Sequence, residues 1–300
     1  MQGLNSDMTP FRRVFVHEIC MCLMLGQILL RLVIGSRAYF WIGAYVLVLA
    51  VYAWFIARGR RTLAPRINRF RLLWNVVAMN FAFTSIRYVV PALGLQAMDS
   101  RLAAIDMRIF GGDLSVMAQQ LYSKPLTEIM SLGYMLFIVF LFFCFVYYGA
   151  KADLPKLLAF CSGLFVLYAF GITGYTLVPA QGPWVYYADV LTTPVEGYLF
   201  TYLNSAMVAA GSAGFDVFPS LHVGVGLYML LFFWRYDRAL QRIYFIPFVL
   251  LVLSTIYLRY HYFIDLVCGA TLCLACFYSS PGFSTRPEEE RRAVVSRVKK

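Results

Sequence analysis

Only three histidines occur in the 300 residues, and two of them stand in short polar stretches at the edges of long apolar runs. Phe218 to His222 reads FPSLH, and His261 to Asp265 reads HYFID. His261 and Asp265 are spaced i,i+4, so on a helix that starts at or before His261 they share a face. The carboxylate then accepts the proton of one ring nitrogen and fixes the tautomer, which leaves the other nitrogen as nucleophile or base. His222 follows Pro219, suited to a first helical turn, and Ser220, whose hydroxyl can cap a helix or bind an anion. A helix start there presents unpaired N–H groups that suit phosphate oxygens. Two histidines, an aspartate and nearby cations are what double displacement at phosphorus requires. One imidazole attacks, the other protonates the leaving oxygen, and donors stabilise the equatorial oxygens.

The elements that must position these groups are membrane helices. Hydrophobic residues make up 61% of the chain, aromatic residues 17% and charged residues only 14%, which departs far from a soluble globular domain. Eight apolar runs are long enough to cross a bilayer, starting near positions 14, 38, 72, 126, 157, 215 to 218, 243 and 261. The expected fold is therefore all-α, a polytopic transmembrane helical bundle of about eight spans. Positions 92 to 125 are mixed and predict short interfacial helices, and 195 to 210 predicts a re-entrant or interfacial helix. The chain thus divides into three regions: two helices and an arginine-rich loop in 1 to 71, a catalytic membrane domain in 72 to 280, and a basic tail in 281 to 300.

Positions 58 to 71 hold six arginines, the strongest orientation signal in the chain. Placing them in the cytoplasm puts Arg12 and Arg13, the loops at 149 to 156 and 235 to 242, and the tail on the same side. Both termini are then cytoplasmic, and His222, His261 and Arg87 meet at the extracytoplasmic face of an integral membrane protein, an inner-membrane protein if bacterial. The net charge of +11 reflects these loops rather than a nucleic-acid surface. The seven cysteines lie in or beside apolar spans, as small buried hydrophobes rather than as a zinc or disulfide framework. No metal or cofactor is expected, and the residues name no protein partner.

PSLH followed by HYFID resembles the second and third motifs of the type 2 phosphatidic acid phosphatase superfamily. FPSLH with YLRYHYFID is most similar to its inositol phosphorylceramide synthase branch. AIDMRIFGG, with Asp106, Phe110 and Gly111, resembles the Asp-x-x-Leu-Phe-Gly element of that branch, and GYTLVPAQGPW, from Gly174 to Trp184, its Tyr-x-x-x-Pro-x-x-x-Pro element. The resemblance covers roughly residues 70 to 280. It implies a six-helix phosphatase-like core, metal independence and a phosphorylated lipid donor, with a lipid or polyol as possible acceptor. It also implies that His261 forms a phosphohistidine, Asp265 orients it, His222 is the general acid, and Ser220 is a phosphate ligand. The chain departs from the pattern in having Thr255 after Ser254, where the phosphatases carry arginine, and in lacking a Lys-x6-Arg-Pro first motif. Arg87 or Arg259 is the expected substitute cation.

Plainer roles stand beside these. Arg87 can snorkel to headgroups instead of binding phosphate; Asp106 can cap a short helix or line the site; Tyr175 suits an interface belt as well as a substrate contact. His17 and Glu18 fall on the cytoplasmic side and read as structural. Water and a lipid alcohol each resolve a phosphohistidine, so the residues alone fit either a phosphotransferase or a lipid phosphatase acting on phosphatidate, phosphatidylglycerol phosphate or a polyprenyl diphosphate. A transporter also uses buried His, Asp and Arg, but no two-half repeat accompanies them here.

Overall fold

The computed structural model describes residues 12–62, 64–152 and 154–279; the basic tail falls outside them. Among these residues the chain is all helical. The ten principal helices are α1 (Val16–Gly35), α2 (Tyr39–Arg61), α3 (Pro65–Ala92), α4 (Asp99–Phe110), α5 (Lys124–Lys151), α6 (Leu154–Leu177), α7 (Leu199–Gly211), α8 (Leu221–Tyr236), α9 (Arg238–Tyr257) and α10 (Phe263–Ser279). Single helical turns at Leu114–Met117 and Pro183–Tyr186 lie in the connections.

Five helices, α1, α2, α5, α6 and α9, are long and apolar enough to cross a membrane, which fits an integral membrane protein. Apolar α10 is shorter, with 17 residues, and α8 has 16. Helix α3 runs for 28 residues because Pro65, tolerated at a first helical position, starts it within the arginine-rich block. Their outer surfaces keep large hydrophobic side chains exposed, Leu23, Trp54, Phe142 and Ile246 among them, as a lipid-facing surface requires.

Helices α5, α6, α8, α9 and α10 pack together, and α1 and α3 join this group through α6. Gly269 of α10 lies against the Ser220 backbone, and Gly224 of α8 lies against Gly269; a Cβ at Gly269 would collide with the Ser220 carbonyl. That close approach carries the start of α8 to the start of α10, so FPSLH and HYFID meet.

Glu18 and Arg71 form a bidentate ion pair between α1 and α3, with Nε–Oε1 and Nη2–Oε2 both at 2.6 Å and both side chains fully buried. Arg71 also donates to the Arg13 carbonyl at 2.7 Å. Glu18 lies at the start of α1, whereas Arg31, near the other end, donates to the Thr176 carbonyl beside the connection that carries the site. His17 stacks on Phe15 with ring centres 5.5 Å apart.

Two boundaries differ from expectation. Helix α8 starts at Leu221 rather than at 215 or 218, because Ser220 is its N-cap, its hydroxyl accepting from the Val223 N–H. Helix α10 starts at Phe263, so His261 lies in the turn ahead of it.

Candidate active site

Helix α9 ends in a Schellman turn. The N–H of Arg259 bonds to the Ile256 carbonyl at 3.0 Å and that of Tyr260 to Thr255 at 3.0 Å. Arg259 takes the left-handed conformation, φ 67°, at the position where glycine is usual. The reversal aims Tyr260 and His261 back across the bundle.

Helix α4 clamps both this turn and the start of α10. Asp106 accepts from the N–H groups of Phe263 (2.6 Å) and Ile264 (3.1 Å), capping α10. Two turns away on the same helix, Asp99 accepts from the N–H of Gln181 (3.0 Å) and of Gly182 (2.8 Å) and from the Tyr262 hydroxyl (3.0 Å). Burial holds the Asp106 carboxyl above the usual carboxylate range, against the two N–H donors that favour its charge. The AIDMRIFGG and VPAQGP stretches are therefore joined: α4 bridges the 181–182 connection to the turn bearing His261.

At the centre, His222 Nδ1 lies 3.2 Å from His261 Nε2. His261 Nδ1 lies 3.5 Å from Asp265 Oδ2, within ion-pair reach but without hydrogen-bond alignment. Asp265 Oδ2 accepts from the Tyr262 N–H at 2.9 Å, and its backbone carbonyl accepts from Ser220 N–H at 3.0 Å. The far nitrogen of His222, Nε2, is 2.8 Å from the Tyr134 hydroxyl of α5. The facing atoms form a one-directional chain: Tyr134 O–H donates to His222 Nε2, and His222 Nδ1–H donates to His261 Nε2. The lone pair on His261 Nε2 is thus the acceptor at the end of this chain. Burial draws His261, in its turn outside the helices, down to about 4, against the Asp216 carboxylate, which pulls the other way. Its imidazole is thus neutral at pH 7.

Both histidines line a cavity of about 150 Å³, with Tyr134, Gln181, Trp184, Asp216 and Tyr260 as its other main polar or aromatic walls. Phe83, Ile138, Met207 and Val208 make it apolar on the side of α3, α5 and α7. Among the described residues no lysine or arginine lines it, and Asp216 is its one carboxylate.

The remaining expected residues are placed around this cavity rather than on it. Ser220 is fully buried, and its hydroxyl accepts from the Val223 N–H at 3.4 Å as the cap of α8. Arg87 is exposed and donates to the carbonyl of Ser212, a residue of the cavity rim. Arg259 is 7% exposed; its Nε donates to the Tyr122 hydroxyl at 2.9 Å, its Nη2 to the Thr193 carbonyl, and it stacks 4.7 Å over the Tyr122 ring. Tyr175 is buried, edge-on to Phe83 with ring centres 6.2 Å apart. Four residues that reading the sequence did not single out matter here. Tyr134 contacts His222, Asp99 holds the 181–182 connection, and Asp216 lines the cavity. Glu128 accepts from the N–H groups of Tyr198, Phe200 and Thr201, which fixes the start of α7 on α5. The i,i+7 spacing of Asp99 and Asp106 on one amphipathic helix was the signal available for Asp99.

The structure thus sets two histidines in contact, with an aspartate behind one of them, in a helical protein that has helices long and apolar enough to cross a membrane. Residues 100–279, more than half of the chain, match the family model of the PAP2 superfamily, and the chain belongs to that superfamily. A PA-phosphatase related-family protein of Dictyostelium discoideum is 28% identical over 116 residues, 36% of this chain. That match spans about a fifth of the relative's length, 21%. No solved structure matches the chain.

Proposed function

We propose that the protein is a lipid phosphotransferase that breaks a phosphodiester through a phosphohistidine on His261. The observation that carries this is the 3.2 Å approach of His222 Nδ1 to His261 Nε2 inside a membrane-level cavity. In the first step the Nε2 lone pair of His261 attacks phosphorus, a P–N bond forms, and the P–O bond to the leaving group breaks. The leaving oxygen takes its proton from His222, which enters the step as the imidazolium with its Nε2–H on the Tyr134 oxygen and leaves it as the neutral imidazole; with substrate in place its Nδ1–H turns from His261 Nε2 to that oxygen. In the second step an alcohol attacks phosphorus, its proton passes to His222, and the P–N bond breaks. Asp265 steadies the positive charge that His261 gains.

The lining of the cavity favours a diester over a monoester. A phosphomonoester dianion needs cations close by, whereas the acidic or basic side chain that lines this cavity is the Asp216 carboxylate, which repels it. A diester carries a single negative charge, and hydroxyls on its headgroup can donate to Asp216. The similarity of FPSLH and YLRYHYFID to the inositol phosphorylceramide synthase branch supports the same choice. Hydrolysis is the second reading, favoured by the name of the Dictyostelium relative; it shares the first step and replaces the alcohol by water. The arginine-rich block at 58 to 71 supports an extracytoplasmic site.

The test supplies protein in nanodiscs with a phosphodiester lipid and a phosphomonoester lipid, each labelled at phosphorus, with and without added alcohols. The expected result is label leaving the diester, and its loss in both His261→Ala and His222→Ala. Turnover at the wild-type rate in His261→Ala would contradict the mechanism.

A further inference from the structure

A second cavity, of about 230 Å³, lies on the other side of Tyr260 and Trp184, which line both spaces. Its polar wall comes from three elements: Ser131 on α5, Thr201, Asn204 and Ser205 on α7, and Arg259 in the turn before His261. Asn204 is 1% exposed, and its Nδ2 donates to the Tyr260 hydroxyl at 2.9 Å, yet its Oδ1 has no hydrogen-bond partner. A buried amide oxygen left unpaired costs about 1–3 kcal/mol, so such an atom in a cavity wall marks a place where a ligand donor belongs.

We infer that this cavity binds a polyhydroxylated alcohol, the acceptor in the phosphotransfer proposed above, on which reading the inference rests. Hydroxyl groups are the chemistry that fits. Asn204 Oδ1 requires a donor, the Ser131 hydroxyl, which donates to Thr201 at 3.2 Å, can accept, Arg259 offers donors, and the Ser205 hydroxyl serves as either; a group that both donates and accepts satisfies all of them. Turning the Asn204 amide over leaves its Nδ2 unpaired instead, and a hydroxyl answers that equally. Arg259 disfavours an ammonium compound. A carboxylate or phosphate would suit Arg259 but would leave the amide oxygen unpaired in the orientation that puts Nδ2 on Tyr260. Arg259 itself is held by Tyr122 and Thr193, so it forms a fixed wall.

The two cavities share a wall. Tyr260 stands between the cavities, bonded to Asn204 on one side and packed on Tyr134 with ring centres 4.8 Å apart on the other, and it is the residue next to His261. A ligand hydroxyl in this cavity is thus separated by one side chain, that of Tyr260, from the space where a phosphohistidine would form. Glu128 holds the start of α7, and its bond to the Thr201 hydroxyl at 2.9 Å sets the polar face of α7 toward the cavity.

The experiment compares the wild type, Asn204→Leu and His261→Ala, full length in nanodiscs, with glycerol and sorbitol as probes. Binding is read by saturation-transfer NMR, and the ratio of transfer to hydrolysis by the phosphorus-labelled diester. Asn204→Leu is expected to weaken polyol binding about tenfold and to lower the transfer-to-hydrolysis ratio by a similar factor, while hydrolysis continues. His261→Ala is expected to bind the polyol as the wild type does, with no turnover. Equal polyol binding by the wild type and Asn204→Leu, or no binding to either, overturns the acceptor site whatever the turnover. Should polyol bind with Asn204 dependence while no diester turns over, the binding site stands and the phosphotransfer reading falls.

Discussion

Replacing Tyr134 by Phe removes one hydroxyl and little else, because the ring remains packed against His222 and Tyr260 at 4.7 and 4.8 Å between centres. The lost contact is the 2.8 Å bond to His222 Nε2. His222 sits among Phe137, Tyr134 and His261, so its Nε2 then has no donor, and leaving a buried polar atom unpaired costs about 1–3 kcal/mol. The imidazolium, which is the form that protonates a leaving oxygen beside His261, loses in the same way the Tyr134 oxygen that accepts its Nε2–H. Each 1.36 kcal/mol is about tenfold in rate, so turnover should fall about 5- to 150-fold with little change in KM. The assay is steady-state release of label from a diester lipid in nanodiscs, with the unfolding midpoint followed in parallel. A double mutant with His222→Ala should be no slower than His222→Ala alone, since Tyr134 acts only through that ring. Turnover within twofold of the wild type in Tyr134→Phe, or additive losses in the double mutant, would refute the reasoning.

The other expectations rest on the same geometry. Asp106→Leu strips the cap from α10 and leaves the Phe263 and Ile264 N–H groups without their acceptor, so stability should drop by about 1–3 kcal/mol, visible as a lower unfolding midpoint, with turnover falling because His261 is displaced. Glu18→Ala leaves the Arg71 guanidinium buried without its carboxylate and should cost about 3–5 kcal/mol, yet turnover per folded molecule should be unchanged, since the pair lies at the far end of α1 from Arg31 and the site. Burial draws the folded pKa of His261 down to about 4 from the 6.5 of a free imidazole. The unfolded chain then binds more protons between those values, so stability should fall as pH drops from 6.5 to 4, and His261→Gln should flatten that slope in a pH series of unfolding midpoints.

Much of this site can be read from residue types alone, because a polar residue in an apolar chain is conspicuous. His222, His261 and Asp265 stand out for that reason, and so does the short helix at 199–211, whose 13 residues are too few to cross a bilayer. What the residues conceal is what each polar group is used for. Asp106 and Ser220 have the composition of ligands, but their acceptor atoms are taken by the backbone N–H groups that start α10 and α8. Arg259 is ill-placed on a regular helix, which would turn it away from His261; the Schellman turn changes that register, and Tyr122 and Thr193 then hold the side chain. Tyr134 and Asn204 are hidden because 21 tyrosines and a moderately apolar segment surround them, and only the fold brings them to the histidines and to Tyr260. The starts of α8 and α10 lie two to six residues later than hydropathy places them, because hydropathy rises before the caps that set them.

The central claim is that the Nε2 of His261 takes phosphorus from the substrate. A single-turnover reaction on a phosphorus-labelled diester lipid, quenched in alkali where a P–N bond survives and digested for mass spectrometry, tests it directly. The predicted result is a phospho adduct on His261 that forms before product and decays as product appears, slowed in His222→Ala and absent in His261→Ala. Product formation at the wild-type rate with no adduct at His261 at any time would contradict the account.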